Sequence, residues 1–315
     1  MLIERIFSRL MPLSHRLRAG MLLLAFCSLS AHAAVVAVVL SEDSAPYHEA
    51  SEAIESALKP QHTVIEVLSA SLGISGSVLA RADLLITVGV KAAERIAAHN
   101  GSVPVLSVLV PENWYRSRGR EKFAAMGHKH GVVVLEQPLQ RQMRLIRQAF
   151  PNAARVGVVL GPESAGLLDD LRAAARQAGL DVIGAVAESE SSLVSTLSRV
   201  LKDADLLLAI PDAEVLNRNT VQSVLMTSYH YRDPVVGYSK ALSRAGALVS
   251  LYSTPAQIGR QSGEIAARVL DGGRLAGQQW PKYFSVSVNG HVARSLGIAM
   301  PPEDVLMREL GNRND

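Results

Sequence analysis

Between residues 34 and 315, short runs of β-branched and aliphatic residues alternate with stretches in which apolar residues recur at helical spacing. That alternation is the pattern of parallel α/β units, each a strand followed by a helix that packs back on the sheet. The pattern also repeats itself. Val36-Ala37-Val38-Val39-Leu40 opens one half and Val156-Gly157-Val158-Val159-Leu160 the other, 120 positions on. Val64-Ile65 matches Val182-Ile183 at 118, and Ala82-Asp83-Leu84-Leu85-Ile86 matches Ala204-Asp205-Leu206-Leu207-Leu208 at 122. Pro104-Val105 matches Pro234-Val235 at 130. Four strands recurring in one order, with spacing that drifts as loop insertions would make it drift, predict two similarly folded lobes.

Helix ends sharpen the reading. Residues 164–178 form an apolar-periodic helix stopped by Gly179, which suits the left-handed position after a helix end. Thr254-Pro255-Ala256-Gln257 reads as an N-cap, an N1 proline and a capping-box glutamine, opening a helix through Ile258, Ile265 and Val269 to Gly272-Gly273. Tyr283 to Asn289 alternate as a strand, and 303–310 form a last short helix.

The expected fold class is therefore α/β: two Rossmann-like lobes, each a parallel sheet flanked by helices, hinged around a central cleft. A Rossmann-like lobe binds ligands outside the carboxyl ends of its strands, so two facing lobes make a cleft that a hinge can close. The sequence beyond the second repeat is read as elements returning to both lobes. The expected boundaries are 34–128 plus about 246–278 for lobe 1, and 129–245 plus about 279–315 for lobe 2.

Charge changes the picture at one end. The chain carries 32 Lys and Arg against 29 Asp and Glu, a net of +3. Arg5, Arg9, Arg16 and Arg18 against Glu4 account for that excess, and residues 34–315 hold 28 of each sign. A balanced body has no electrostatic footprint for phosphate backbones, which excludes nucleic acid as a partner. The basic start, the apolar run Met21 to Leu29 and Ala31-His32-Ala33 together read as a cleavable export signal, residues 1–33, with cleavage after Ala33 and a periplasmic destination. The apolar run is shorter than the roughly 20 residues a bilayer span takes. The single cysteine, Cys27, lies in that signal, where bulky Phe26 argues against lipid attachment. Cleavage leaves no thiol for disulfides, metal or nucleophilic chemistry.

Functional residues belong in the βα turns. In lobe 1 the candidates are Ser41, Glu42, Ser44 and Tyr47 after the first strand, Gly89 and Lys91 after the third, and Asn113, Trp114 and Tyr115 after the fourth. In lobe 2 they are Ser164, Asp212, Tyr238, Ser239 and Tyr252. Ser44 and Ser164 are equivalent under the 120 offset, each at a helix start where hydroxyl and backbone N–H groups hold an anion or merely cap the helix. Asp212 pairs with a ligand ammonium or caps the following helix. Aromatic residues are only 4% of the chain, yet five fall at these strand ends, where their faces can stack on a ligand.

Catalytic chemistry is thin. No P-loop, His-Glu-x-x-His or Gly-x-Gly-x-x-Gly sequence is present. Gly237-Tyr238-Ser239-Lys240-Ala241 approximates a nucleophile elbow, with alanine in place of the last glycine, and leaves a Ser239 hydrolase as the weakest alternative. His128-Lys129-His130, between Gly127 and Gly131, reads as a charged surface or hinge loop rather than a metal site. No cofactor is expected.

Ala204 to Asp212, with Gly246-Ala247-Leu248, Ile258 to Glu264, Val269 to Gly273 and the closing Val286 to Ile298, resembles the ABC-transporter substrate-binding family related to tryptophan-binding periplasmic proteins. The resemblance covers most of the chain beyond the signal. It implies a type I periplasmic-binding-protein fold with three interlobe crossings and no enzymatic activity. It also implies that a small molecule, an amino acid or another small polar or aromatic solute, is bound between the lobes and passed to an ABC permease; a membrane sensor is the alternative receiver. By position it makes Pro211-Asp212 and Gly237-Tyr238-Ser239 cleft elements. Lobe 1 departs from the family pattern at Gly89 to Ala93, Val110 to Tyr115 and Gly127 to Gly131, with a bulkier and more charged lining.

Overall fold

The computed structural model describes residues 33–58, 60–71, 79–99 and 101–311, and Val35–Asp315 forms one compact unit. The export signal and Cys27 lie outside the described residues, apart from Ala33. Two six-stranded sheets carry the unit. The first contains β1 (Val35–Leu40), β2 (Thr63–Leu68), β3 (Leu84–Val88), β4 (Val105–Val110), β5 (His130–Val134) and β11 (Gln278–Gln279) in the order β11-β5-β4-β3-β1-β2. The second contains β6 (Arg155–Leu160), β7 (Asp181–Val186), β8 (Leu206–Leu208), β9 (Val235–Gly237), β10 (Val249–Tyr252) and β12 (Ser285–Val288) in the order β12-β10-β9-β8-β6-β7. All neighbours pair parallel except β12 against β10.

Leaving out β11 and β12, the two orders are the same, and the recurring segments of the sequence fall on equivalent strands. The repeated Ala-Asp-Leu-Leu has a physical cause. Asp83 Oδ2 accepts the N–H of Val35 at 2.8 Å, and Asp205 Oδ2 accepts those of Ala154 and Arg155, each at 2.8 Å. In both lobes this aspartate anchors the start of the first strand, while the leucines behind it enter the core. Val36 to Leu40 and Val105 to Val110 are buried throughout, as strands covered by helices on both faces must be. Each sheet separates two apolar clusters, one per face.

The crossovers do not fall where the sequence placed them. His130–Val134 extends the first sheet, beyond the expected break at 128, and Val249–Tyr252 belongs to the second sheet although 246–278 was assigned to lobe 1. The chain changes lobe after a strand is complete, at 135–138, at 253–254 and again at 280–284. The histidine segment differs as well. His130 stands in β5 with its ring stacked on Phe123 at 3.7 Å between centroids, and its Nε2 lies 3.0 Å from Ser107 Oγ. Burial, followed by the neighbouring His128, pushes its pKa down to about 3, so it is a neutral, half-buried strand residue, while His128 and Lys129 stay in the expected loop.

After its second crossover the chain forms α10 (Pro255–Leu270), started by the expected capping box with Thr254 Oγ1 accepting from Gln257 N at 3.1 Å. This helix lies against α1 (Ala45–Leu58) of the first lobe. The approach is close because small residues face each other. A Cβ on Gly259 would strike the carbonyl oxygen of Ala50, and one on Gly263 would lie 2.5 Å from Ala57 Cβ. Gly259→Ala should therefore cost about 1–3 kcal/mol of stability, the usual penalty of overpacking against backbone. Gly277→Ala, with open space around it, is the control. Urea denaturation measures both, and equal midpoints would show that the helix pair has room to spare.

Candidate functional site

Each crossover is tied to the next by side chains. Gln137, on the first, donates from Nε2 to Ser253 Oγ on the second at 2.8 Å, and Ser253 Oγ donates to Tyr283 O on the third at 2.5 Å. Arg141, in the first turn of α5 (Leu139–Ala149), donates from Nη1 to Gln137 Oε1 at 2.7 Å and to Pro281 O at 2.8 Å. Its guanidinium also lies 4.5 Å from the centre of the Phe284 ring. Burial brings its pKa down to about 10, which leaves it charged at neutral pH. Gln261 completes the brace, donating to Trp280 O and accepting from Lys282 N at 2.7 Å.

This brace holds the carboxyl ends of the two sheets toward one another around a cavity of about 600 Å³. From the first lobe come Pro111, Asn113, Trp114, Ser117, Arg118 and Glu136; from the second come Glu163, Ser164, Pro211, Asp212, Ala213, Leu216 and Tyr238. A contiguous arm of about 510 Å³ continues along Glu112, Arg116, Leu167, Asp170, Ile210, Gln278 and Trp280. A further groove of about 690 Å³, with Gln140, Arg144, Gln148, Gln177 and Glu309 on its walls, runs between helices of the second lobe instead of at strand ends.

Backbone irregularities shape the first-lobe wall. β4 shifts register between Val108 and Val110, and Leu109 between them adopts φ 53°, a left-handed conformation that costs a leucine energy and re-aims the chain beyond it. The next segment winds as α3 (Glu112–Trp114), a π turn over Tyr115–Gly119 and α4 (Arg120–Ala125). The π turn sets the Trp114 indole against Gly119 and puts Arg116, Ser117 and Arg118 on the outside.

The second-lobe wall is organised by Asp212. Its Oδ2 accepts from Gly161 N at 3.0 Å and from the Ser164 hydroxyl, and its Oδ1 accepts from Glu214 N at 2.9 Å. Gly161 has to be glycine, since a Cβ there would lie 2.5 Å from Asp212 Oδ1. Facing it, Glu136 accepts the N–H of Glu112 at 2.8 Å through Oε2. Burial, with the Glu112 carboxylate adding to it, pushes Glu136 up to about 7. At the mouth, Arg116 lies 3.9 Å from Glu112 and 3.8 Å from Asp170 of the second lobe, and Arg118 lies 4.0 Å from Glu163.

A family model for ABC transporter substrate binding proteins matches residues 74–309, most of the chain. The chain belongs to that family. The fold is the type I periplasmic-binding-protein fold, and solved structures agree. A ligand-free, open substrate-binding protein with adhesive properties from Clostridium difficile superposes with a TM-score of 0.68 at 15% identity, over 86% of this chain and 97% of that one. An ABC domain in complex with L-Trp from Streptococcus pneumoniae gives 0.57 at 17% identity, covering 88% and 98%. A periplasmic ribose ABC transporter protein from Conexibacter woesei gives 0.53 at 13%, covering 85% and 95%. No curated protein sequence matches.

Substrate-binding proteins of this family are not enzymes, and the Ser239 hydroxyl has a structural use. It accepts Leu242 N–H at 3.1 Å as the N-cap of α9 (Lys240–Ala245). Of the other candidates, Asn113, Trp114, Ser164, Asp212 and Tyr238 line the cavity. Ser41, Glu42, Ser44, Tyr47, Gly89 and Lys91 gather at the ends of β1 and β3 instead. There Ser41 Oγ donates to Val88 O and accepts from Ala92 N, and Lys91 pairs with Glu42 at 3.2 Å on the surface. Tyr115 turns into the first-lobe core with its ring 5.5 Å from that of His130. Tyr252 ends β10 opposite Ser285. Sequence reasoning named neither Glu136 nor Arg116, Arg118, Leu167, Ile210 or Trp280 as site residues. The signal available for Glu136 was its place two residues after the end of a strand.

Glu136 also leaves a mark on stability. Its pKa is raised in the folded state, so the folded chain holds a proton that the unfolded chain releases above about pH 4.5. The stabilisation is complete below that pH and is lost as pH rises through 7. Glu136→Gln, permanently neutral and still able to accept from Glu112 N, should stabilise the protein by roughly 3 kcal/mol at pH 8 and by nothing at pH 4. Thermal unfolding at the two pH values checks this, and an equal effect at both would contradict it.

Proposed function

We propose that this chain is the solute-receiving component of an ABC transport system, exported to the periplasm, whose lobes close around one small molecule and present it to a membrane permease. The observation that carries the reading is the cavity between opposed strand ends, walled from both lobes and spanned by three braced crossovers. Closure about such a hinge buries a ligand against both walls at once, so an occupied cleft favours the closed form. The family supplies the transport context.

The test is a thermal-shift screen of the purified protein against amino acids, amines, sugars, purines and small acids. One chemical class should raise the melting temperature saturably, and a solute at 100 times its dissociation constant should contribute about 2.7 kcal/mol. Asn113→Trp fills the cavity from an exposed position in the short helix α3 and should abolish the shift while moving the ligand-free melting temperature by no more than about 2 °C. Silence from every class at millimolar concentration, or a shift that survives Asn113→Trp, would contradict the reading.

A further inference from the structure

Carboxylates outnumber cations on the cavity walls and come from both lobes: Glu112 and Glu136 from the first, Glu163, Asp170 and Asp212 from the second. The cations among the lining residues are Arg116 and Arg118, and each already faces carboxylates, Arg116 those of Glu112 and Asp170 and Arg118 that of Glu163. Glu136 and Asp212 stand differently. Among the described residues neither has a cation within ion-pair distance. Glu136 takes the backbone N–H of Glu112, and Asp212 takes two backbone N–H groups and a hydroxyl. Two carboxylates on opposite walls therefore face the cavity without a counter-charge.

Beside them lies an apolar surface. Leu167, Ile210 and Pro211 line the cavity with Glu136, and the Trp280 indole, 43% exposed, lies in the same arm. A tryptophan left this open at a cleft can cover a ring or an alkyl chain, and its face attracts a cation.

We propose that the cleft selects a small net-cationic solute, a protonated amine or amidine with an apolar body and no carboxylate, and that Glu136 is the residue that reads its charge. The proposal rests on the cleft being the solute site and adds the chemical class. The cation would sit between the Glu136 and Asp212 carboxylates, so that it is held from both lobes. A solute carboxylate would meet the same two groups and be repelled, and the two arginines stand out at the exposed mouth, beside Glu112, Asp170 and Glu163. Burial keeps Glu136 partly protonated near neutral pH in the empty cleft, with Glu112, Arg116, Arg118, Glu163, Asp170 and Asp212 as the charged groups around the cavity. Binding a cation favours its ionised form, so amine affinity should rise with pH through 7 and binding should release a proton.

Isothermal titration with matched pairs tests this: tryptamine against L-tryptophan, and agmatine against L-arginine, with ribose and succinate as neutral and anionic probes. Each amine should bind at least about tenfold more tightly than its carboxylate-bearing partner. Glu136→Gln should weaken the amines by about tenfold or more and change any binding of ribose by clearly less. That variant removes a buried charge and keeps the acceptor, so it is expected to fold. Binding of ribose or succinate with no response to either amine would overturn the cationic class and leave the solute-binding reading standing. Amine binding that Glu136→Gln does not weaken would overturn the role of Glu136. No binding by any probe, coupled with silence across the broader solute screen, would overturn the solute-binding reading and this inference with it.

Discussion

The structure depends on the brace formed by Arg141, Gln137 and Ser253 across the three crossovers. A single link between two lobes would let them swing and twist freely. Three links held by side-chain hydrogen bonds allow mainly one motion, a bend that opens and closes the cleft. The brace works because its charge is well solvated by protein: Arg141 is buried, yet its donors reach a side-chain amide and a backbone carbonyl and its plane lies on the Phe284 ring. Gln137 uses both ends of its amide, one toward Arg141 and one toward Ser253, so no partner in the series can be removed without leaving another unsatisfied.

What the brace positions is a cleft with two dissimilar walls. The second-lobe wall is rigid, its Asp212 carboxylate fixed by three donors at the end of a short strand. The first-lobe wall is built from a strand bulge and a π turn, irregular backbone that carries the exposed arginines at the mouth and leaves Glu136 deeper in. Bridges as long as those of Arg116 and Arg118, on side chains more than half exposed, contribute little to holding the lobes together and are easily broken and remade. Their placement suits a mouth that has to open. Among the described residues Glu136 and Asp212 have no such partners, and the electrostatic character of the interior is therefore set by those two carboxylates.

Much of the architecture was legible in the sequence because its cause is local. The four recurring strand segments reflect a strand order used twice, and the recurring aspartate reflects one hydrogen-bonding job done in both lobes. The capping box at Thr254 and the left-handed Gly179, with φ 68°, also follow from a few adjacent residues. The lobe boundaries were not legible. The chain leaves each sheet from the end of an ordinary buried strand, and neither His130–Val134 nor Val249–Tyr252 carries a mark of which sheet it joins. That error hid Glu136, which the sequence placed in the other lobe. The aromatic candidates show a second limit. Trp114 and Tyr115 sit at a strand end as expected, but the π turn rotates the tyrosine into the core, and nothing in the local composition announces such a turn. Ser41 and Ser239 were correctly placed at strand ends, and their hydroxyls serve the backbone there.

The central claim is that one ligand is held by both lobes together. Amide hydrogen exchange of the protein, with and without a saturating solute that raises its melting temperature, tests it most directly. The account predicts slower exchange in 111–118 and in 161–167 and 210–216, on the two sides of the cleft and to a similar extent. Protection confined to one lobe, or centred on the outer groove beside Arg144 and Gln148, would contradict it.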